Sequence, residues 1–237
     1  MIFQEYRVLA VEEKVPGTFL VRVKPGDNKA IFEFLPGQYC QIKNPQYGKP
    51  QDIHTFSIAS SPLTNDHLEF CIKVYGNWTK TLSEIKTGDT LQIAGPMGEF
   101  IWNKDTDSNA VFLVGGVGIS PIMSMLRYIN EQKYQGNFTL VYGNRTQATI
   151  AYNQELAMFT KQIKELNIVH IFSHLLPDDP WKGYRGFVTA DILQKEVNFT
   201  VRPTFFVIGP PIFIEKMNAV LKSFGVQENK IKQELIV

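Results

Sequence analysis

The sequence predicts a two-domain fold in which an N-terminal antiparallel β-barrel is followed by a C-terminal α/β domain with a parallel sheet. In residues 5–101, short segments of alternating apolar and polar residues are separated by Gly, Pro, Asn and Asp, as in antiparallel strands. From residue 110 onward, apolar strand-like runs alternate with helical segments, as in a parallel sheet with crossover helices. The polar stretch 103–109 separates the two patterns, so we expect domains at residues 1–104 and 105–237.

Six segments with a period of two predict the strands of the barrel, and one predicts a short helix. About six strands are enough for a closed or nearly closed barrel. The strand segments are, in chain order, YRVLAVEEKV, TFLVRVKP, QYCQIK, HTFSIAS, HLEFCIKVY and DTLQIAG. The helical segment is WTKTLSEIK.

The second domain is predicted from four apolar strand segments, each followed by a segment of helical periodicity. The strand segments are AVFLVGG, NFTLVYGN, IVHIFSH and TFFVIGP. The helical segments are PIMSMLRYINEQ, NQELAMFTKQIKEL, TADILQKEV and PIFIEKMNAVLKSFG, and the segment IKQELIV follows the last of them.

The composition argues against several functional classes. The chain has 44% hydrophobic and 20% charged residues, and its formal net charge of +1 provides no electrostatic footprint for nucleic acid. No basic segment leads into an apolar run near Met1, and no window approaches about 18 uninterrupted apolar residues, so we expect a cytoplasmic protein without a membrane span. Cys40 and Cys71 cannot build a disulfide framework, a metal site or an iron–sulfur cluster by themselves, so we expect two buried free thiols.

The stretch VFLVGGVGISPIMSML places a glycine turn between the first strand and the first helix of the second domain. Glycines at such a turn leave bare N–H groups and the positive end of a helix dipole for a phosphate. Gly116, Gly118 and Pro121 stand where a dinucleotide's pyrophosphate usually binds in an open parallel sheet. A tight turn with Pro121 at the first helical position explains the same residues, and the motif departs from the ordinary dinucleotide fingerprint. By itself, the motif leaves both interpretations open.

Two further segments end strands of the same predicted sheet. Arg145, in YGNRT, could meet a 2′-phosphate or could simply be solvated. Gly209, Pro210 and Pro211 follow the fourth strand and leave a second stretch of bare backbone. Because the carboxyl ends of parallel strands lie at one edge, the two glycine segments predict the floor of a cleft that an extended ligand could cross.

The barrel half contains two segments of mixed interpretation. HTFSIASSP places Phe56 and Ser57 on a strand, and the simplest interpretation is an edge strand that is half-buried. YGNWTKTL places Gly76 and Thr79 at the start of a short helix, and a helix N-terminus suits a phosphate.

Seven segments in this order, HTFSIAS, CIKVYGNWTKTL, GPMGEF, LVGGVGISPIMSML, YGNRT, GPP and QELIV, resemble the ferredoxin–NADP reductase superfamily. The resemblance covers essentially the whole chain. It implies a flavin-binding barrel followed by a nicotinamide-binding parallel-sheet domain, with FAD and NAD(P)H as cofactors and no fused iron–sulfur domain.

The resemblance assigns the flavin ring to the first of these segments. Members of the family hold the flavin with an Arg-x-Tyr-Ser segment, which corresponds here to His54, Thr55, Phe56 and Ser57. Phe56 would stack on the isoalloxazine, and Ser57 would lie near N5. An imidazole is not an always-charged bidentate phosphate partner as a guanidinium is, so His54 implies weaker flavin binding.

The family's Gly-x-x-Ser/Thr segment corresponds to Gly76 and Thr79, with Asn77 and Trp78 between them. Their amides and hydroxyl would bind the flavin pyrophosphate, which supports FAD over FMN. Three residues would line the adenosine side, namely Ile72, Lys73 and Val74.

In the second domain, the resemblance assigns Gly116, Gly118 and Pro121 to the pyrophosphate of the nicotinamide dinucleotide. Gly209 and Pro210 would let the nicotinamide ring approach the flavin closely.

Two positions near the expected hydride path depart from the family. Many relatives have a cysteine before Gly-Pro-Pro, where this chain has Ile208. Glu234 resembles a carboxylate that relatives place near the flavin, but it equally suits an exposed chain end, and the aromatic expected two positions later is Ile236.

The function implied is hydride transfer from NAD(P)H to FAD, with Ser57 and Glu234 as the candidate catalytic residues. Electrons would then pass to a separate acceptor protein such as a ferredoxin, a flavodoxin or an oxygenase component. Reduction of free flavin or a small molecule, and a flavin-binding module without turnover, are the alternatives. Arg145 and Thr146 favour NADPH over NADH.

Overall fold

The computed structural model describes residues 2–26, 29–46 and 52–236. The chain divides into two compact units. The barrel unit consists of Met1–Trp102 with Ser120–Tyr128, and the parallel-sheet unit consists of Asn103–Ile119 with Ile129–Val237. No helix among the described residues is long and apolar enough to cross a bilayer.

Up to Trp102, the described residues of the barrel unit form six antiparallel strands and one helix. These elements are β1 (Gln4–Val15), β2 (Thr18–Pro25), β3 (Tyr39–Lys43), β4 (His54–Ser57), β5 (Leu68–Lys73), α1 (Asn77–Glu84) and β6 (Thr90–Met97). The strand order is β4-β3-β6-β1-β2-β5. An antiparallel bridge between Ile58 and Phe70 joins the two outer strands, so the sheet closes into a barrel.

The second half of the chain forms a six-stranded sheet in which every strand pair is parallel. Its elements are β7 (Ala110–Gly115), α2 (Ile119–Glu131), β8 (Phe138–Asn144), α3 (Asn153–Gln162), β9 (Leu166–Phe172), β10 (Tyr184–Arg185), α4 (Ala190–Glu196), β11 (Thr204–Gly209), α5 (Pro211–Ser223) and β12 (Ile231–Leu235). The strand order is β10-β9-β8-β7-β11-β12. Strands β8 to β10 are added on one side of β7 and strands β11 and β12 on the other, so the switch point of the sheet lies between β7 and β11. Open parallel sheets bind ligands at such a switch point.

The predicted fold class is confirmed, and both cysteines are buried free thiols as expected. The strand β10 was not predicted, because a two-residue strand carries no periodic signal. The central strands β7 and β11 are buried along almost their whole length, as in a parallel sheet covered on both faces.

A buried carboxylate organises one side of the barrel unit. The side chain of Glu69 is 1% exposed and receives hydrogen bonds from Arg22 Nε and Arg127 Nη1, each at 2.8 Å. Arg127 also donates to the carbonyl of Ala59 at 2.8 Å. Burial by itself would raise the pKa of Glu69, but the two guanidinium groups outweigh it and hold that pKa below its ordinary value.

Replacing Glu69 by Gln should destabilise the barrel unit by about 3 kcal/mol at pH 7, because Arg127 loses its buried counter-charge. The pKa of Glu69 is lower in the folded than in the unfolded chain, for which the ordinary value is 4.5. The contribution of Glu69 to the free energy of unfolding is therefore fully present above pH 4.5 and is lost as the pH falls through the pKa of the folded state. Urea unfolding followed by tryptophan fluorescence measures this, since Trp78 and Trp102 lie in the barrel unit.

The matched control is Glu12→Gln, which removes an exposed pair with Lys14 and should cost less than about 1 kcal/mol. A difference between wild type and the Glu69 variant that stays constant from pH 7 to below pH 4.5 would contradict this account of the carboxylate.

Candidate cofactor-binding sites

The glycine turn follows β7 directly. A 3-10 turn spans Gly116–Gly118, and α2 begins at Ile119. Gly116 has a φ of 57°, in the left-handed region that favours glycine, and no atom lies within 4 Å of the position that a Cβ would take. The backbone at Gly116 is therefore open to the close approach of an anion.

The second glycine segment lies beside the first, because β11 pairs with β7. A Cβ on Gly209 would lie 3.5 Å from the Cα of Gly115 and 2.8 Å from a ring carbon of Phe213. A Cβ on Gly115 would lie 3.3 Å from Pro210. Glycine at both strand ends therefore lets β7 and β11 approach each other, and neither strand has a side chain of its own at the switch point of the sheet.

Gly118 has a different environment from Gly116. A Cβ at this position would lie 2.9 Å from Ile236 and 3.2 Å from Ile208. Gly118 is thus required by the packing of two isoleucines, and Pro121 is buried in the first turn of α2. Of the three predicted pyrophosphate residues, Gly116 alone has open space above its Cα.

Arg145 and Glu234 both lie at the carboxyl ends of their strands, β8 and β12. Arg145 is exposed directly after β8, and its carbonyl accepts a 2.8 Å hydrogen bond from the backbone of His174. Glu234 is partly exposed near the end of β12, opposite Ile208 in the register of β11. The strand β12 is held by Lys232, whose ammonium lies 2.6 Å from the buried carboxylate of Asp107.

Tyr142 was not predicted as a site residue. It lies on β8, is 1% exposed, and donates a hydrogen bond from its phenol to the carbonyl of Gly116 at 3.0 Å. The sequence signal was its place after the apolar residues Leu140 and Val141, two residues before the end of β8.

In the barrel unit, β4 carries the predicted flavin residues on two faces. His54 and Phe56 lie opposite Ile42 and Cys40 of β3, whereas Thr55 and Ser57 point to the other face. Burial raises the pKa of the Cys40 thiol, so Phe56 lies opposite a neutral sulfur. Ser57 is the half-buried last residue of the strand.

Trp78 connects β4 to the start of α1. Its indole stacks on the His54 imidazole, with ring centroids 4.0 Å apart, and lies parallel to the Phe56 ring at 5.9 Å. We call His54, Phe56 and Trp78 the aromatic cluster. The Nε1 atom of Trp78 is buried and has no hydrogen-bond partner among the described residues.

The start of α1 presents backbone donors rather than a hydroxyl. Gly76 is the N-cap, and Thr79 lies in the first turn. The Oγ1 atom of Thr79 accepts hydrogen bonds from the amides of Tyr75 at 2.9 Å and Gly76 at 3.1 Å, so it holds the chain before the helix. No acidic residue occurs in the first turn, and Asn77 is exposed.

The predicted adenosine-side residues differ in exposure. Ile72 is 1% exposed and belongs to the barrel core, so only its main chain remains for a ligand contact. Lys73 is half-buried with its ammonium 5.1 Å from the ring of Tyr75, which is 67% exposed. The amide of Val74 donates to Gly17. Tyr75 was not predicted and adds an exposed aromatic face beside Lys73.

These residues fit a flavin dinucleotide and a nicotinamide dinucleotide. Nothing lies within 4 Å of a Cβ position at Gly76 or at Gly116, so both turns can receive a phosphate on bare backbone. The aromatic cluster and Lys73 supply flat apolar faces and a cation beside Gly76. Among the described residues, no group of three His, Cys, Asp or Glu side chains could hold a metal ion.

The sequence models of two families match the chain in the predicted order. The model of the oxidoreductase FAD-binding domain matches residues 7–102, and that of the oxidoreductase NAD-binding domain matches residues 112–219. Together they cover most of the chain.

Curated relatives match along nearly the whole chain. The phenol hydroxylase P5 protein of Acinetobacter pittii is 30% identical over 237 residues, covering 98% of this chain and 66% of that protein. The reductase component of propane 2-monooxygenase from Mycolicibacterium goodii is 29% identical over 230 residues, covering 94% of this chain and 65% of that protein. The chain therefore spans slightly less than two thirds of these relatives.

Solved structures share the fold. The FAD/NAD-binding domain of nitric oxide dioxygenase from Vibrio cholerae superposes with a TM-score of 0.85 at 19% identity, covering 98% of both chains. A ferredoxin NADP+ reductase from Neisseria gonorrhoeae superposes with a TM-score of 0.79 at 16% identity, again covering 98% of both. With an FAD-binding domain followed by an NAD-binding domain, the chain belongs to the ferredoxin–NADP reductase superfamily.

Proposed function

We propose that this protein is an NAD(P)H-dependent flavin oxidoreductase that passes electrons through FAD to a separate acceptor protein. The observation that carries the proposal is the presence in one chain of an FAD-binding domain and an NAD-binding domain, each with bare backbone at the turn where a dinucleotide phosphate would bind. We assign the two domains to residues 1–104 and 105–237.

When bound, FAD and NAD(P)H supply the redox chemistry, in which a hydride passes from the nicotinamide C4 to the flavin N5. The barrel unit holds and orients the flavin. The amides of Asn77 and Trp78, which follow the open position at Gly76, would bind its pyrophosphate, with Lys73 adding positive charge. Ser57, the last residue of β4, would donate a hydrogen bond to N5.

The rest of the barrel site supports the flavin through flat contacts. The aromatic cluster provides aromatic ring faces for contact with the flavin. Thr55 lies on the opposite face of β4 from His54 and Phe56. Thr79 acts indirectly, because its hydroxyl fixes the amides before α1.

The parallel-sheet unit holds the nicotinamide dinucleotide along the ends of its strands. Gly116 binds the pyrophosphate through its backbone, and Gly118 with Pro121 shapes the turn and the start of α2. Gly209 and Pro210 would border the nicotinamide ring at the end of β11, where Phe213 and Gly115 pack against Gly209, and Glu234 provides a carboxylate on the neighbouring strand.

The names of the relatives support an oxygenase component as the acceptor. The Mycolicibacterium goodii protein is a reductase component, and a relative from Acinetobacter baylyi is the electron transfer component of anthranilate 1,2-dioxygenase. A ferredoxin or a flavodoxin would serve the same purpose. A cytoplasmic location agrees with two free cysteines and with NAD(P)H as the electron donor.

The flavin absorbance of the purified holoprotein should bleach in a stopped-flow experiment when NADH or NADPH is added, and extraction should release FAD. Recovery of absorbance should be fast with a [2Fe–2S] ferredoxin, a flavodoxin or an oxygenase component. Faster recovery with free FMN or ferricyanide than with any protein acceptor would favour a flavin or small-molecule reductase. No bleaching with either nucleotide would leave a flavin-binding module.

Replacing Ser57 by Ala should slow flavin reduction roughly tenfold, because one hydrogen bond to the changing charge at N5 is lost. The measurement is the bleaching rate at saturating nucleotide. Ser83→Ala is the matched control, since its exposed hydroxyl donates to the carbonyl of Lys80 within α1. Equal rates in wild type and the Ser57 variant would remove Ser57 from this role.

Replacing Arg145 by Ala should raise the KM for NADPH by roughly ten- to hundredfold, because a charge-assisted hydrogen bond to the 2′-phosphate is lost. The KM for NADH should change less than about twofold. Lys222→Ala, on the exposed side of α5, controls for the loss of one positive charge. An equal change in both KM values would show that Arg145 does not read the 2′-phosphate.

A further inference from the structure

We propose that Tyr142 is a positioning residue of the nucleotide site, because its phenol fixes the orientation of the peptide group on which the dinucleotide pyrophosphate binds. The inference rests on the proposed function. Its basis is the 3.0 Å hydrogen bond from the Tyr142 hydroxyl to the carbonyl of Gly116, between residues of β8 and of the glycine turn.

The planar peptide bond converts this contact into a direction for an N–H group. In a trans peptide, the carbonyl and the N–H of one unit point in opposite directions. Because the phenol holds the Gly116 carbonyl toward β8, the N–H of Val117 in the same unit is turned away from β8. The positive edge of the peptide thus faces away from the strand, and the negative edge is held against it.

Glycine makes this control necessary. Gly116 has a φ of 57° and nothing lies within 4 Å of a Cβ position, so no side-chain packing at this residue limits its backbone angles. Glycine adopts more backbone conformations than any other residue, so its ψ angle alone does not select one orientation of the peptide that follows. If it rotated, the Gly116 carbonyl would face the open side of the turn and repel a phosphate. The hydrogen bond from Tyr142 selects the orientation that attracts an anion.

The phenol can do this because its own ring is fixed. Tyr142 is 1% exposed, and closely packed interiors hold buried rings in place. Its neighbour across β8 and β9 is His170, with ring centroids 6.0 Å apart, and His170 in turn stacks on Phe172 at 6.1 Å. Burial lowers the pKa of His170, so this neighbour is mostly a neutral imidazole at pH 7.

The test is isothermal titration of wild-type and Tyr142→Phe holoprotein with NAD+, NADP+, ADP-ribose and adenosine. The variant keeps the buried ring and removes the hydroxyl. We expect about three- to tenfold weaker binding of the ligands with a pyrophosphate, as for one lost hydrogen bond, and a change below about twofold for adenosine, which has no phosphate. The same variant should raise the KM for NAD(P)H by a similar factor with kcat unchanged.

Tyr184→Phe is the matched control, because its phenol hydrogen-bonds Glu196 in the same unit. It should leave every affinity unchanged. If Tyr142→Phe folds poorly, Tyr142→p-aminophenylalanine provides a second variant, whose N–H donor should keep the wild-type affinity for ADP-ribose.

Unchanged binding of ADP-ribose to Tyr142→Phe would overturn the inference. So would an equal weakening for adenosine, which would indicate general damage to the unit, or a p-aminophenylalanine variant as weak as the Phe variant. Absence of dinucleotide binding by the wild type would overturn the proposed function and this inference with it. Equal dinucleotide affinity of the wild type and Tyr142→Phe would overturn the inference alone.

Discussion

The close approach of β7 and β11 at their carboxyl ends is the constraint on which the nucleotide site depends. Gly115 and Gly209 are neighbours at this point, and a side chain on Gly209 would collide with Phe213. The same two strands lie where the strand order of the sheet reverses, so the helices that follow them diverge. Glycine at these two positions lets the strand ends approach each other, and the open backbone of Gly116 follows at the start of the turn.

The barrel site is built on the same principle with different parts. Gly76 has no side chain at the start of α1, and the Thr79 hydroxyl accepts hydrogen bonds from the two amides before the helix. Trp78 stacks on His54, so the residue that replaces the family's arginine is held by an aromatic face and not by an ion pair. An imidazole in this setting offers a directed N–H group with less charge than a guanidinium.

Two buried carboxylates hold segments next to the candidate site residues. Glu69 binds two arginines, one of which also fixes the carbonyl of Ala59, two residues after the end of β4. Asp107 binds Lys232 and so holds the edge strand β12, on which Glu234 lies. Each charge is costly to bury and is stabilising only while it remains paired, so these contacts specify where the neighbouring strands lie.

The sequence by itself determined the order of strands and helices apart from β10, the two kinds of sheet, the free thiols and the positions of the glycine turns, because periodicity and turn chemistry are local properties of the chain. Tertiary structure decided which of those residues meet. Tyr142 reaches Gly116 across 26 residues, Gly118 is covered by Ile208 and Ile236, and Ile72 turns into the barrel core. These outcomes depend on strand register and on packing between distant segments, which a local pattern does not encode.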